Sequence, residues 1–172
     1  MFCRICNSEK ITRIFSRVKD LEYGTGGEFD FCRCEECGTI FLCPTPTVAE
    51  LLNFYPSDYH GYLSPTSKLT KFLISSNLKR RAALYKRLIG SGGDILDVGS
   101  ADGAHFEALG RYGDWRFAGV EFNDEIAKKG RDNGYEIYTD TIESHDFAGR
   151  KFDIIIMNNL IEHVTDPART VS

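Results

Sequence analysis

From Asp94 onward, short apolar runs alternate with stretches whose apolar residues recur at helical spacing. That rhythm predicts strands over 94–98, 117–121, 135–138 and 152–157, with helices over 104–109 and 124–132, the second ending near Gly134. Strands and helices joined by short turns imply parallel strands linked by right-handed crossovers. The expected fold class is therefore α/β, with a doubly wound sheet that binds ligands at the strands' carboxyl ends. Upstream, Leu69, Phe72 and Leu73, then Leu84, Tyr85 and Leu88, fall on helical stripes. They predict one helix over 68–89, or two divided at Ser75-Ser76-Asn77, stopped by Gly90-Ser91-Gly92-Gly93. Before them, Pro44-Thr45-Pro46-Thr47 interrupts regular structure, and Thr47 can cap a short helix over 48–54 that stops at Pro56. Tyr55, Tyr59 and Tyr62, with Pro56 and Gly61, read either as an ordered loop lying on another surface or as core packing. Three regions result: a small module over 1–45, a helical connector over 46–91, and the sheet over 92–172.

A chain of 172 residues with 42% hydrophobic and 27% charged content can bury a core, which excludes low-complexity disorder. It holds no run near the ~20 apolar residues of a membrane span, and Met1 leads into Phe-Cys-Arg-Ile-Cys rather than an export signal, so a cytoplasmic location is expected. The net charge of −4 argues against nucleic acid or a membrane as partner. Its distribution adds a distinction. Residues 61–91 carry seven Lys/Arg and no acid, whereas 92–172 carry eight against sixteen. The connector is either a solvated cationic helix face or a grip on an anionic group.

All six cysteines lie in the first 43 residues. Cys3-x-x-Cys6 and Cys34-x-x-Cys37 are separated by 27 residues, long enough to run out and back as a hairpin through Gly24, Gly26 and Gly27. Two such knuckles supply four thiolates for a tetrahedral site, and Zn2+ is the metal they suit. With the coordination sphere filled, that site is structural rather than catalytic. Cys32 competes with Cys34 as a ligand, but Cys34 precedes Cys37-Gly38 at the right spacing for a turn; Cys32 and Cys43 are left as spectators. A disulfide scaffold is the alternative, less suited to a reducing compartment.

Residues 95–103, Ile-Leu-Asp-Val-Gly-Ser-Ala-Asp-Gly, drive an apolar strand into a turn of small residues and then a helix start. Freed amides there suit an anionic group. Glu121 follows Asp97 by 24 residues at the end of the next predicted strand, where a carboxylate can take both hydroxyls of a ribose, so an adenosine-containing cofactor is implied. Gly99, Ala101 and Gly103 do not reproduce the dinucleotide spacing. The acid two residues before the first of these small residues instead resembles the D-x-G-x-G-x-G pattern of class I S-adenosylmethionine-dependent methyltransferases, with Ala101 standing in place of the middle glycine. Gly119-Val120-Glu121, Asp140-Thr141-Ile142, the strand at 152–156 and Glu162-His163-Val164 resemble that family's later motifs in order.

With the cysteine pairs, the Pro44/Pro46 turn and Tyr55-x-x-x-Tyr59, the chain resembles sugar C-methyltransferases that carry an N-terminal zinc-binding domain. The resemblance implies a Rossmann-like sheet of which about four strands are present, strands five to seven being absent. It implies that Asp97, Gly99, Ala101 and Gly103 organise the loop and the methionine end, that Glu121 holds ribose, that Asp140 and Ile142 flank adenine, and that Phe122 and Asn158 stand beside the cofactor. It implies an acceptor that is a small molecule of the nucleotide-sugar type. His163, just past a cofactor-side strand, is the candidate general base; His60, His105 and His145 have no motif behind them. Two other readings stay open at this level: an inactive or split cofactor-binding remnant, and a zinc-ribbon interaction module.

Overall fold

Two different strand rhythms produce two sheets. The computed structural model describes residues 1–21, 24, 27–47, 50, 54 and 67–171, without the side chains of Lys68 and Lys71. The chain divides into two compact units, one of residues 1–59 with 161–172, the other of 60–160. Most of the helix expected over 48–54, the loop of Tyr55, Tyr59 and Tyr62, and both Gly26 and His60 lie outside the described residues.

In the first unit, β1 (Ile11–Val18) pairs antiparallel with β2 (Phe29–Cys34), which pairs with β3 (Ile40–Leu42). The register Ile11↔Cys34 through Val18↔Phe29 contains two irregularities. Arg13–Asp30 and Arg17–Glu28 ion pairs, at 3.2 and 2.6 Å, lie along its exposed face. Past β3, Thr47 and Glu50 form a capping box: the Glu50 amide donates to the Thr47 hydroxyl at 3.3 Å, and the Glu50 carboxylate accepts from the Thr47 amide at 2.7 Å.

The second unit opens with α1 (Lys68–Ile89), one unbroken helix. Of the one or two helices expected, the single one forms, with no break at Ser75-Ser76-Asn77. These residues are exposed, each costs only a few tenths of a kcal/mol of helix propensity, and no Gly or Pro interrupts the element. The Ser67 side chain accepts from the Thr70 amide at the start, and Gly90, at φ 75°, ends the helix with its amide on Lys86 O.

Four parallel strands follow: β4 (Gly92–Val98), β5 (Asp114–Glu121), β6 (Glu136–Thr139) and β7 (Ile154–Ile156), in the order β6-β5-β4-β7. Helices α2 (Ala104–Gly110) and α3 (Asp124–Asp132) make the crossovers β4→β5 and β5→β6. The expected doubly wound α/β sheet is thus present. The chain moves outward through β5 and β6, then returns to the other side of β4. That reversal makes β4/β7 the topological switch point, beside which such sheets bind ligands.

β4 and β5 are longer than the apolar runs suggested, because Gly92–Asp94 pair with Asp114–Arg116. β7 is shorter, being hydrogen-bonded on one side only, to Ile95–Asp97. Alternation assigns the two faces. Ile95 packs with Ala82, Tyr85, Leu109 and Trp115, while Leu96, Val98, Ala118 and Val120 form the opposite cluster with Ile142, Phe147, Phe152 and Leu160 against them. Near the chain's end, α4 (Pro167–Thr170) is capped by the Asp166 side chain. Among the described residues, no helix is long and apolar enough to cross a membrane.

Asp94 fastens the amino ends of these strands. Arg116 grips its carboxylate with two nitrogens, Arg150 adds a contact at 3.4 Å, and Arg116 above all holds the carboxyl below its ordinary value. A carboxyl so depressed stabilises the fold fully above the ordinary range near ~3.9, and that contribution is lost as pH falls through the lower folded value. Asp94→Asn should therefore melt below the parent protein at pH 7, with the gap closing as pH is taken below about 4. Melting curves at several pH values measure this; a gap independent of pH would remove the ionic explanation.

Candidate functional site

The loop after β4 is built from left-handed backbone. Gly99, Ala101 and Gly103 have φ values of 74°, 50° and 68°. Two of the three are glycines, for which this region carries no steric penalty, while Ala101 holds it at a cost of about 1 kcal/mol. Its position is secured from the neighbouring strand: the buried Glu121 carboxylate accepts the Ala101 amide at 3.1 Å and the Asn123 amide at 3.0 Å. The Phe122 amide joins them, yet burial wins and pushes the Glu121 carboxyl above its ordinary value. Glu121 thereby joins the loops after β4 and β5, with lone pairs left to accept further donors.

The same approach of loop to strand makes Gly119 necessary. A Cβ there would come within 2.2 Å of Ser100 Oγ and 2.7 Å of Ser100 Cβ. Ser100 is buried, and its hydroxyl has no hydrogen-bond partner.

Asp97, buried on the face that carries α1 and α2, bonds none of the loop amides. Its Oδ2 lies 2.5 Å from His105 Nε2, the donor where the carboxylate is ionised. His105 sits in the first turn of α2, its ring 4.8 Å from Phe106. No sequence motif marked His105. The available signal was positional, since the second residue of the crossover helix stands over the end of the strand it follows.

Asp140, after β6, accepts from the Thr141 amide at 2.8 Å and the Ser144 hydroxyl, and meets His145 Nδ1 at 3.2 Å. Ser144 above all holds its carboxyl below the ordinary value, with Thr141 and His145 adding to the effect. His145, also without a motif, packs between Tyr138 and Phe147 at ring distances of 4.3 and 4.6 Å. Ile142 is half-buried against the cluster of Leu96, Val98, Ala118 and Val120, so it also packs as a core residue. Phe122 is half-buried and Asn158 exposed. His163 belongs to the other unit, in a turn, with its Nε2 4.0 Å from a Glu162 carboxylate oxygen.

In the first unit, the four cysteines expected to bind metal converge, every Sγ lying within 4.8 Å of the others. Cys3–Cys37 and Cys6–Cys34 approach to 3.6 and 3.5 Å. The two knuckles are copies of one another. Cys3 N donates to Ser8 O and Asn7 N to Cys3 O; Cys34 N donates to Thr39 O and Gly38 N to Cys34 O, all at 2.9 Å. Asn7 and Gly38 each take positive φ, 59° and 77°. In both knuckles the first cysteine is buried and the second exposed. The Thr39 hydroxyl and amide bring the Cys37 thiol down to about 6, whereas Cys6, despite the Ser8 amide, is pushed up to about 12 by desolvation and the other three thiols.

Cys32 and Cys43 are not idle spectators: antiparallel pairing of β2 with β3 brings them to a Cα separation of 5.8 Å, and they form a disulfide. Spacing alone did not reveal the pair, because β3 was not anticipated.

A family model described as a methyltransferase domain matches residues 68–172, and the chain belongs to that family. Similar solved structures include the sugar N-methyltransferase KedS8 from Streptoalloteichus sp ATCC 53650, at 17% identity and a TM-score of 0.45, covering 63% of this chain and 48% of that one. Magnesium protoporphyrin IX methyltransferase (ChlM) from Synechocystis PCC 6803, solved with SAM, is 16% identical with a TM-score of 0.46, covering 64% of this chain and 59% of that one. The plantazolicin methyltransferase BpumL, solved with SAH, is 17% identical with a TM-score of 0.45, covering 61% and 48%. The chain thus spans about half to three-fifths of the length of these proteins. No curated protein matches it.

Gly119→Ala should destabilise the second unit by ~1–3 kcal/mol, the usual cost of forcing atoms into a packed site. Adding Ser100→Gly removes both offending atoms and should recover most of the loss. Denaturant titration of the single and double variants tests this, and simple additivity would show that the strand–loop contact is not the cause.

Proposed function

We propose that the chain forms the cofactor-binding part of an S-adenosylmethionine-dependent methyltransferase, with a structural zinc centre and a small-molecule acceptor of the nucleotide-sugar type. The observation that carries the reading is the Glu121 carboxylate at the end of β5, bonded to the left-handed loop after β4 beside the switch point. An acid with spare lone pairs there suits the paired hydroxyls of a ribose, and the small residues of the loop admit a ligand close to the backbone.

The residues fit the cofactor. Glu121 would hold ribose, Asp140, oriented by Ser144 and His145, would face adenine beside Ile142, and Asp97 would face the ammonium of the methionine end. Gly99, Ala101 and Gly103 shape the loop, with Phe122 and Asn158 beside the cofactor. The bound cofactor supplies an electrophilic methyl on its sulfonium. The chain's part is alignment of the acceptor, exclusion of water and removal of the acceptor proton, for which His163 beside Glu162 is the candidate base.

The cysteine cluster fits Zn2+ as well. Zn–S bonds of about 2.3 Å in a tetrahedron place sulfurs about 3.8 Å apart, close to the 3.5 and 3.6 Å of the two nearest pairs. The Cys37 thiol, drawn down to about 6, is suited to bind a cation, and a cation beside Cys6 would offset the crowding that drives that thiol up to about 12.

Calorimetry should show S-adenosylmethionine binding that Glu121→Ala weakens by ~1.5–3 kcal/mol through loss of a charged acceptor. A preference for NAD, or no effect of the substitution, overturns the assignment. Metal analysis should find about one zinc per chain, and Cys37→Ser should lose it together with the fold of the hairpin module. A metal-free chain with this module folded would reject the zinc centre.

A further inference from the structure

α1 presents three faces, and the fold of the second unit uses one of them. Leu78, Ala82, Tyr85 and Ile89 pack into the core cluster with Ile95 of β4 and Leu109 of α2. At about 100° per residue, Lys79 and Lys86 fall on a second face, while Leu69, Leu73, Leu84 and Leu88 fall on a third, roughly 140° round the axis from the buried one. Those leucines are 68, 58, 41 and 59% exposed. Four large apolar side chains in one row on a surface helix differ from the scattered singles of an ordinary surface, and such a row marks an interaction site. Ile74 continues the buried row and Phe72 falls beside the lysines, so neither belongs to the leucine row.

The leucine row is symmetric about a point between Leu78 and Lys79. Leu73 and Leu84 stand equally far from it, as do Leu69 and Leu88, and closer in Asn77 and Arg80. A second α1 laid antiparallel on the row therefore meets it in register. Leu69 comes opposite the partner's Leu88, Leu73 opposite the partner's Leu84 and Asn77 opposite the partner's Arg80, each contact occurring twice about a two-fold axis. The positions 69, 73, 77, 80, 84 and 88 follow an 11-residue repeat. That period lies close to the helical one, so two such helices stay in contact with only shallow right-handed winding over the about 28 Å from Leu69 to Leu88.

Charge placement favours a second copy over other occupants. α1 carries basic residues and no acid, which would oppose self-association if cations met across the seam. In the antiparallel register they do not. Arg80 faces the partner's Asn77, whose amide oxygen can accept a guanidinium N–H, and Arg87 faces the partner's Thr70, whose hydroxyl can accept as well. Lys79 and Lys86 point about 130–150° away from the leucines. An anionic bilayer is a poorer match, because Arg80 stands in the middle of the row and would be buried in lipid with it. We propose that the leucine row of α1 is the contact of a two-fold homodimer in which the two helices pair antiparallel. The inference is independent of the cofactor reading.

Sedimentation equilibrium on the full chain in the presence of zinc, from about 1 to 200 μM, should show monomer and dimer in exchange. Leu73→Glu and Leu84→Lys, both at exposed positions, should each weaken dimerisation about 10- to 100-fold, since each sets two charges against leucines. Mixed in equal amounts, the two variants should form a dimer containing one chain of each, within about tenfold of the parent affinity. One pair of facing positions then becomes Glu against Lys while its symmetry mate stays Leu against Leu, and native mass spectrometry reads the composition. A parent chain monomeric throughout, variants that dimerise like the parent, or a mixture that yields no mixed dimer overturns the proposal. So does a monomeric parent that binds phosphatidylserine-containing vesicles, a result that would give the row to a lipid surface.

Discussion

A single buried carboxylate organises the carboxyl end of the sheet. Glu121 closes β5 and accepts the amides of Ala101, Phe122 and Asn123, so the turn that leaves β4 and the turn that leaves β5 are fastened to the same two oxygens. Without those amides a carboxylate at this depth would be prohibitively costly, and even with them burial holds it above its ordinary value. The strain at Ala101 and the absence of a side chain at Gly119 follow from the same geometry, because the loop must come down onto β5 for its amide to reach the carboxylate. Local stability is thereby given up to hold the loop in left-handed backbone against β5.

The features legible in the sequence were those whose chemistry is local. Cys3-x-x-Cys6 and Cys34-x-x-Cys37 each fold as a turn whose geometry six residues decide, and the four sulfurs do converge. The strand–turn–helix read over 94–109 was equally plain, because period-two and period-3.6 patterns meet at a run of small residues. What escaped depends on partners distant in sequence. The Cys32–Cys43 disulfide requires β3, too short at three residues to show a period. Trp115 is buried at the start of β5 against Tyr85, at a ring distance of 5.6 Å, in a stretch where Asp114 and Arg116 flank it and mask the strand. His105 carries no motif, since it acquires its significance only when helix and strand lie side by side.

The sheet's two faces divide the work. Each carries an apolar cluster: the face that receives α1 and α2 holds Asp97, His105 and Arg81 beside its own core of Ile95, Tyr85, Leu109 and Trp115, while the other is closed by Tyr138, Ile142, Phe147, Phe152 and Leu160. Segregation of this kind follows from the pleat, because a strand with polar and apolar residues in alternation can serve both at once.

The duplicated cysteine knuckles have a consequence for the hairpin between them. Ile11 opens β1 four positions after the first knuckle's Asn7, and it pairs with Cys34, the opening residue of the second. A slip of one residue between the strands would shift one knuckle by about 3.3 Å, nearly the whole spacing between neighbouring sulfurs. A cation held by all four would therefore act as a vernier on strand alignment and reject misregistered hairpins that backbone hydrogen bonds alone would tolerate. The far end of the hairpin is under no such control. Its turn can lengthen at a cost of only about 0.6 kcal/mol per doubling, so knuckles set 27 residues apart can still bring every Sγ within 4.8 Å of the others.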